Sequence, residues 1–159
     1  MPYKNTMKKW THNERLIEII AALFILLFLY TGISKIREHT SFRIALSQSP
    51  LLGSTAGLLS WLLPITEIIT ASLLLFPITR KHGLMISLGL MSLFTIYIAF
   101  MVFFIPSLPC SCGGVLKELN WNQHLSFNIF FTALSIIALW LTKRNKLFIA
   151  INRKSRTPV

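Results

Sequence analysis

The sequence predicts an all-α integral membrane protein, a four-helix bundle with both termini in the cytoplasm. Three observations lead there. Hydrophobic residues make up 53% of the 159 residues, and the mean hydropathy is +0.63, above what a soluble domain of this size carries. They concentrate in four runs, 16–33, 58–78, 84–105 and 125–141, each close to the roughly 17–25 residues that an α-helix needs to cross the hydrocarbon core. The basic residues between and around these runs alternate in density from one side to the other, as they do in multi-pass proteins. The spans leave room for a single membrane domain, 14–142, between a basic lead-in at 1–13 and a basic tail at 143–159.

The net charge of +11 would suggest a nucleic-acid partner in a soluble protein, but its distribution has a plainer cause. Lys4, Lys8, Lys9 and Arg15 precede the first run, Arg80 and Lys81 separate the second from the third, and Lys143, Arg144, Lys146, Arg153, Lys154 and Arg156 follow the fourth. Twelve of the sixteen Lys and Arg residues therefore fall on one side, against Lys35, Arg37, Arg43 and Lys117 on the other. The positive-inside rule makes the richer side cytoplasmic. The basic tail reads as an anchor on anionic lipid, and no nucleic-acid partner is expected.

The lead-in is polar and basic, with Trp10 at the membrane surface. The first span begins with Glu14 and Glu18 one helical turn apart, and Glu18 is near enough to the cytoplasmic end to reach water. No small-residue cleavage pattern follows this run, and Lys35 and Arg37 come next, so it is read as a retained helix. Tyr30 and Lys35 are expected to anchor its far end at the opposite interface. In the loop 36–55, the stretch around Phe42 to Leu46 has the pattern of a short amphipathic surface helix, which Pro50 and Gly53 would end.

The second span carries Glu67, near mid-membrane, where a charge costs on the order of 3 kcal/mol even on a mild insertion scale. Gly57, Ser60, Pro64, Glu67 and Ala71 recur at helical spacing, so one face collects the small and polar residues and Glu67 points into the bundle. Pro64 removes an intrahelical donor one turn earlier. Two roles are open for Glu67: a hydrogen-bonded residue that sets helix packing, or a group that handles protons or a ligand. The third span follows the basic turn 80–83. Its small residues Gly89, Ser92 and Ala99 suit close helix contact, and Met85, Met91 and Met101 are read as packing residues. On the fourth span His124, Asn128, Thr132, Ser135 and Thr142 form a second polar stripe that would oppose the Glu67 face, with Trp121 at the interface before it.

Between the third and fourth spans lies Pro109-Cys110-Ser111-Cys112-Gly113-Gly114, which holds the only two cysteines. The charge asymmetry puts this loop outside, and in a bacterial inner membrane that side is the oxidising periplasm. Two thiols one residue apart either bridge or chelate a soft metal. Pro109 rigidifies the approach, and Gly113 and Gly114 permit the backbone angles of a tight reversal. His124, at the same membrane surface, is a candidate base that would lower a thiol pKa, set against a simple solvated role at the interface.

Tyr30, Gly32 and Lys35 at the end of the first span, Pro64 and Glu67 in the second, and Cys110-Ser111-Cys112-Gly113-Gly114 after the third together resemble the MauE branch of the DoxX-like membrane proteins. The resemblance covers the hydrophobic region, about 14–141, and the Cys-x-Cys-Gly-Gly is its distinctive part. It implies a redox-associated role in methylamine metabolism, since MauE-type proteins are linked to maturation of the disulfide-rich small subunit of methylamine dehydrogenase. DoxX relatives include a subunit of a thiosulfate:quinone oxidoreductase. Carried over, Cys110 and Cys112 would be the redox pair and Glu67 the shared intramembrane acid.

The leading expectation is a membrane thiol–disulfide component, a possible disulfide oxidoreductase, with Cys110, Cys112, Glu67 and His124 as its working residues. Its partner would be a periplasmic thioredoxin-like protein or a secreted client, and a quinone is a possible electron acceptor, argued from architecture alone. Two other readings stand beside it. In one, a Cys110–Cys112 disulfide only pins the outer loop of an accessory subunit; in the other, the pair passes Cu(I) or Hg(II), although no further cysteine lies in the spans to receive a metal.

Overall fold

The structure, a computed structural model, describes residues 12–104 and 121–154, with side chains for 13–104 and 121–144. The described chain is all-helical: α1 (His12–Arg37), α2 (His39–Ser47), α3 (Ala56–Leu75), α4 (Arg80–Phe104) and α5 (Trp121–Lys154), with a 3-10 turn at Gly53–Thr55. Four stretches, Asn13–Arg37, Gly53–Leu75, Arg80–Phe104 and Trp121–Arg144, are long and apolar enough to cross a membrane. Helices are the structure such sequences must adopt in lipid, because hydrocarbon offers the backbone no hydrogen-bond partner and a helix satisfies its N–H and C=O groups internally. The chain is accordingly a multi-pass membrane protein.

The helices and the hydropathy runs differ at their ends, for local reasons. The second run continues to residue 78, but α3 stops at Leu75. Pro77 crowds the residue before it out of helical backbone, and Phe76 is extended, with φ −92° and ψ 128°. The carbonyls left over are bonded locally: Thr79 Oγ1 donates to the Leu73 carbonyl at 2.7 Å and Arg80 Nε to that of Leu74 at 3.4 Å. The basic stretch 80–83, expected as a turn, is instead the first turn of α4. At the other extreme α5 runs on to Lys154, so the first part of the stretch expected as a tail continues the helix of the fourth span.

α1 packs along α3 and α4 along α5, and contacts between α3 and α4 and between α1 and α5 close the bundle. Phe24 and Phe28 stack with ring centroids 5.7 Å apart, and Phe131 meets Phe24 edge-on at 5.4 Å. Leu74, Leu84, Ala71 and Ala138 complete this core without exposed surface. Leu26, Leu58, Leu93 and Ile96 point outward, an arrangement that suits lipid rather than water. α2 is amphipathic as expected, and its apolar side is spoken for: Phe42 and Leu46 are buried with Ala56 against the start of α3. Met91 and Met101 are core residues, whereas Met85 is exposed.

Candidate functional site

The site begins with a glycine. α1 and α3 approach so closely at Gly32 that a Cβ there would lie 3.1 Å from Ile68 Cγ1 and 3.3 Å from the Pro64 carbonyl oxygen. Close approach through a small residue is how membrane helices maximise contact. One turn further along α1, the side chain of Lys35 reaches across to α3 and donates to Glu67 Oε1 at 2.5 Å. The side chains are 15% and 2% exposed, so the pair is internal. Lys35 therefore does not serve as the interfacial anchor expected of it. A carboxylate buried in the bundle stabilises a cation beside it more than headgroup water does, and the long lysine stem lets the ammonium turn inward.

α3 presents Ser60, Pro64, Glu67 and Ala71 on its buried face, as their spacing predicts, while Gly57 is exposed at the helix start with nothing near its missing Cβ. Thr31 spends its hydroxyl on the Leu27 carbonyl. The ammonium of Lys35 also stands 5.8 Å from the ring centroids of Phe42 and Phe94, at the outer range of cation–π attraction. Glu67 Oε2 is buried and has no hydrogen-bond partner among the described residues.

Lys35 and Glu67 line a cavity of about 220 Å³ whose other walls come from α2, α4 and the first turns of α5. Phe42, Phe94, Tyr97, Trp121 and Phe127 contribute aromatic surface, and His124 and Asn128 bring polar groups from α5. The two polar stripes thus face each other across this cavity. Away from it the α5 stripe is satisfied within its own helix pair: Thr132 Oγ1 donates to the Asn128 carbonyl at 2.8 Å, Ser135 Oγ to that of Thr132 at 2.8 Å, and the hydroxyls of Thr95 and Thr132 are 3.1 Å apart. Asn128 Nδ2 in turn donates to the His124 carbonyl at 2.9 Å.

Cys110 and Cys112, with Pro109, Gly113 and Gly114, lie outside the described residues. The segment that carries them joins Phe104 at the end of α4 to Trp121 at the start of α5, and Trp121 is on the cavity wall.

The family model described as Methylamine utilisation protein MauE matches residues 13–141, from the start of α1 through the membrane part of α5. The chain belongs to the MauE family. Neither the comparison with curated proteins nor that with solved structures finds a match. In this MauE-family protein the matched region contains all four candidate spans almost entirely, the Lys35–Glu67 pair and the Cys-x-Cys-Gly-Gly segment.

Of the residues singled out from sequence, Glu67 and His124 come together on one cavity, and Gly32, Lys35, Pro64 and Glu67 prove to be one packing unit. Reasoning from sequence missed Lys35 as the partner of Glu67. The sequence signals that a carboxylate fixed inside a bundle requires a donor, but it does not single out Lys35, a span-end lysine of the kind that ordinarily lies at the interface. His39 was also missed; its ring packs on Trp61 at 4.3 Å and its Nε2 is 3.1 Å from Ser60 Oγ.

Proposed function

We propose that this MauE-family protein is a thiol–disulfide component of the bacterial inner membrane, with Cys110 and Cys112 as its exchanging pair on the periplasmic side. The observation that carries the reading is the position of the cysteine segment in the chain: it joins α4 to α5, both of which wall the cavity holding Lys35, Glu67 and His124, and it enters α5 at Trp121 on that wall. In the exchange step, a thiolate of a client or thioredoxin-like partner attacks the Cys110–Cys112 disulfide. The mixed disulfide resolves into an oxidised partner and the reduced Cys110/Cys112 dithiol, so that two electrons and two protons move from partner to this chain. Regeneration needs a two-electron acceptor, and a membrane quinone is the proposed class because it dissolves where this cavity lies. His124 is the proposed base toward the thiols and Glu67 the proposed proton carrier.

A second reading, a non-catalytic accessory subunit with a loop-pinning disulfide, draws support from the Lys35–Glu67 ion pair, since a paired and buried glutamate also serves packing. Thiol trapping in native membranes separates them. The exchange reading expects a Cys110/Cys112 pair of mixed oxidation state that shifts on addition of quinone or a thioredoxin-like protein. It also expects a mixed disulfide with a partner that disappears in Cys110→Ser. A pair that stays fully oxidised in mild reductant supports the accessory role, and a reduced pair protected by added Cu(I) would point to metal handling instead.

A further inference from the structure

We infer that the cavity walled by α1, α2, α3, α4 and α5 is a binding site for a neutral hydroxylated aromatic ring of the hydroquinone class, held by Glu67 Oε2. Four observations carry this. Size comes first: the cavity measures about 220 Å³, and an apolar cavity of about 150 Å³ already admits benzene, so one substituted six-membered ring fits. The lining comes second: it is predominantly apolar, with Phe42, Phe94, Trp121 and Phe127 offering ring faces and edges to an aromatic guest.

Polarity comes third. Glu67 lines the cavity and is 1% exposed; the Thr31 hydroxyl stands beside its carboxyl but donates to the Leu27 carbonyl at 2.9 Å, which leaves Oε2 without a partner among the described residues. A buried acceptor in that state is costly unless something donates to it, and the complement of a carboxylate oxygen is an O–H donor. Oε1 is already held by Lys35, whose ammonium offsets the carboxylate charge, so the guest need bring no charge of its own. Lys35 has further N–H donors for an oxygen acceptor on the same ring. Access comes last. Leu93 lines the cavity and is also 68% exposed on the outer side of α4, so the cavity wall reaches the lipid-facing surface there. A lipid-soluble ring has a direct way in.

The binding step stands without the cysteines. Its use in regeneration rests on the thiol–disulfide reading above: oxidation of the Cys110/Cys112 dithiol to a disulfide releases two electrons and two protons, and a quinone that takes them up becomes the hydroquinone that Oε2 is placed to hold.

The test is equilibrium dialysis of the full chain in detergent micelles against empty micelles, under anaerobic reducing conditions, with tetramethylhydroquinone and its dimethyl ether as paired probes. The two share a ring and differ in the O–H donor. The hydroquinone is expected to bind saturably at one per chain and at least about tenfold more tightly than the ether, the least that a hydrogen bond to a charged acceptor is worth. Glu67→Gln should narrow that ratio. Leu63→Trp, which puts a larger side chain into the cavity without removing either member of the ion pair, should abolish saturable binding of the hydroquinone. Equal affinity for the two probes, or no saturable binding of either to the unsubstituted chain, overturns the proposal. Thiol trapping scores the redox reading separately: a chain that binds the hydroquinone but shows no exchange loses that reading and keeps this site, and the converse result loses the site alone.

Discussion

Glu67 and Lys35 make a pair whose members each need the other. A buried ion pair adds little net stability over well-packed apolar residues, but removing one partner leaves an uncompensated charge. Lys35→Met should therefore destabilise the bundle by about 3–5 kcal/mol, and adding Glu67→Leu should recover most of that loss. Thermal unfolding of the single and double variants in one detergent measures it; a double variant no more stable than Lys35→Met would show that the pair is not the source of the cost. The presence of Glu67 inside the bundle was legible in the sequence from its spacing with Ser60, Pro64 and Ala71. The identity of its partner was not, because Lys35 sits on a different span and flanks like it are ordinarily interfacial. Glu18 illustrates the same limit at the other end of the bundle: near water as expected, it also lies 3.5 Å from Arg80 at the start of α4, a half-buried pair near the surface and of small energetic weight.

The contact between α1 and α3 is what brings the pair together, and it depends on one missing methyl group. Gly32→Ala would place a Cβ 3.1 Å from Ile68 Cγ1 and 3.3 Å from a backbone oxygen, and that oxygen cannot turn aside. The expected cost is about 1–3 kcal/mol, the range for overpacking a tight interior. Gly57→Ala on α3 meets nothing within 4 Å and should be neutral or stabilising by up to about 1 kcal/mol, because alanine loses less backbone entropy than glycine in a helix. The two substitutions measured side by side separate helix propensity from helix contact; equal effects would count against the close approach at Gly32. Element types were well marked in the sequence, since runs of about 20 apolar residues admit few structures in lipid. Their ends were not: α3 stops early because Pro77 acts on Phe76, and α4 starts early because Arg80 and Thr79 close the preceding carbonyls.

At the scale of the whole molecule, the charge distribution argues for an orientation with α2 and the cysteine segment on one side and the α3–α4 turn on the other. Single cysteines introduced in a Cys110→Ser/Cys112→Ser background test it. Lys81→Cys should react with an impermeant maleimide only after the cytoplasmic face is opened, and Ser47→Cys should react in intact cells, both residues being exposed. Labelling of Lys81→Cys in intact cells would reverse the orientation and put the cysteine segment on the reducing side, where a stable disulfide is not expected.

The sequence by itself determined the membrane environment, the four spans, the inward face of α3 and membership of the MauE family, because each follows from composition and periodicity along the chain or from motifs that alignment can match. Only the tertiary structure decided that Lys35 turns inward, that one oxygen of Glu67 has no partner among the described residues, and that His124 and Asn128 share a cavity with both. These are contacts between residues on different helices. Hydrophobic patterning states which face is buried but not what it meets, and here the close passage of α1 over α3 at Gly32 settles the partner of that buried carboxylate.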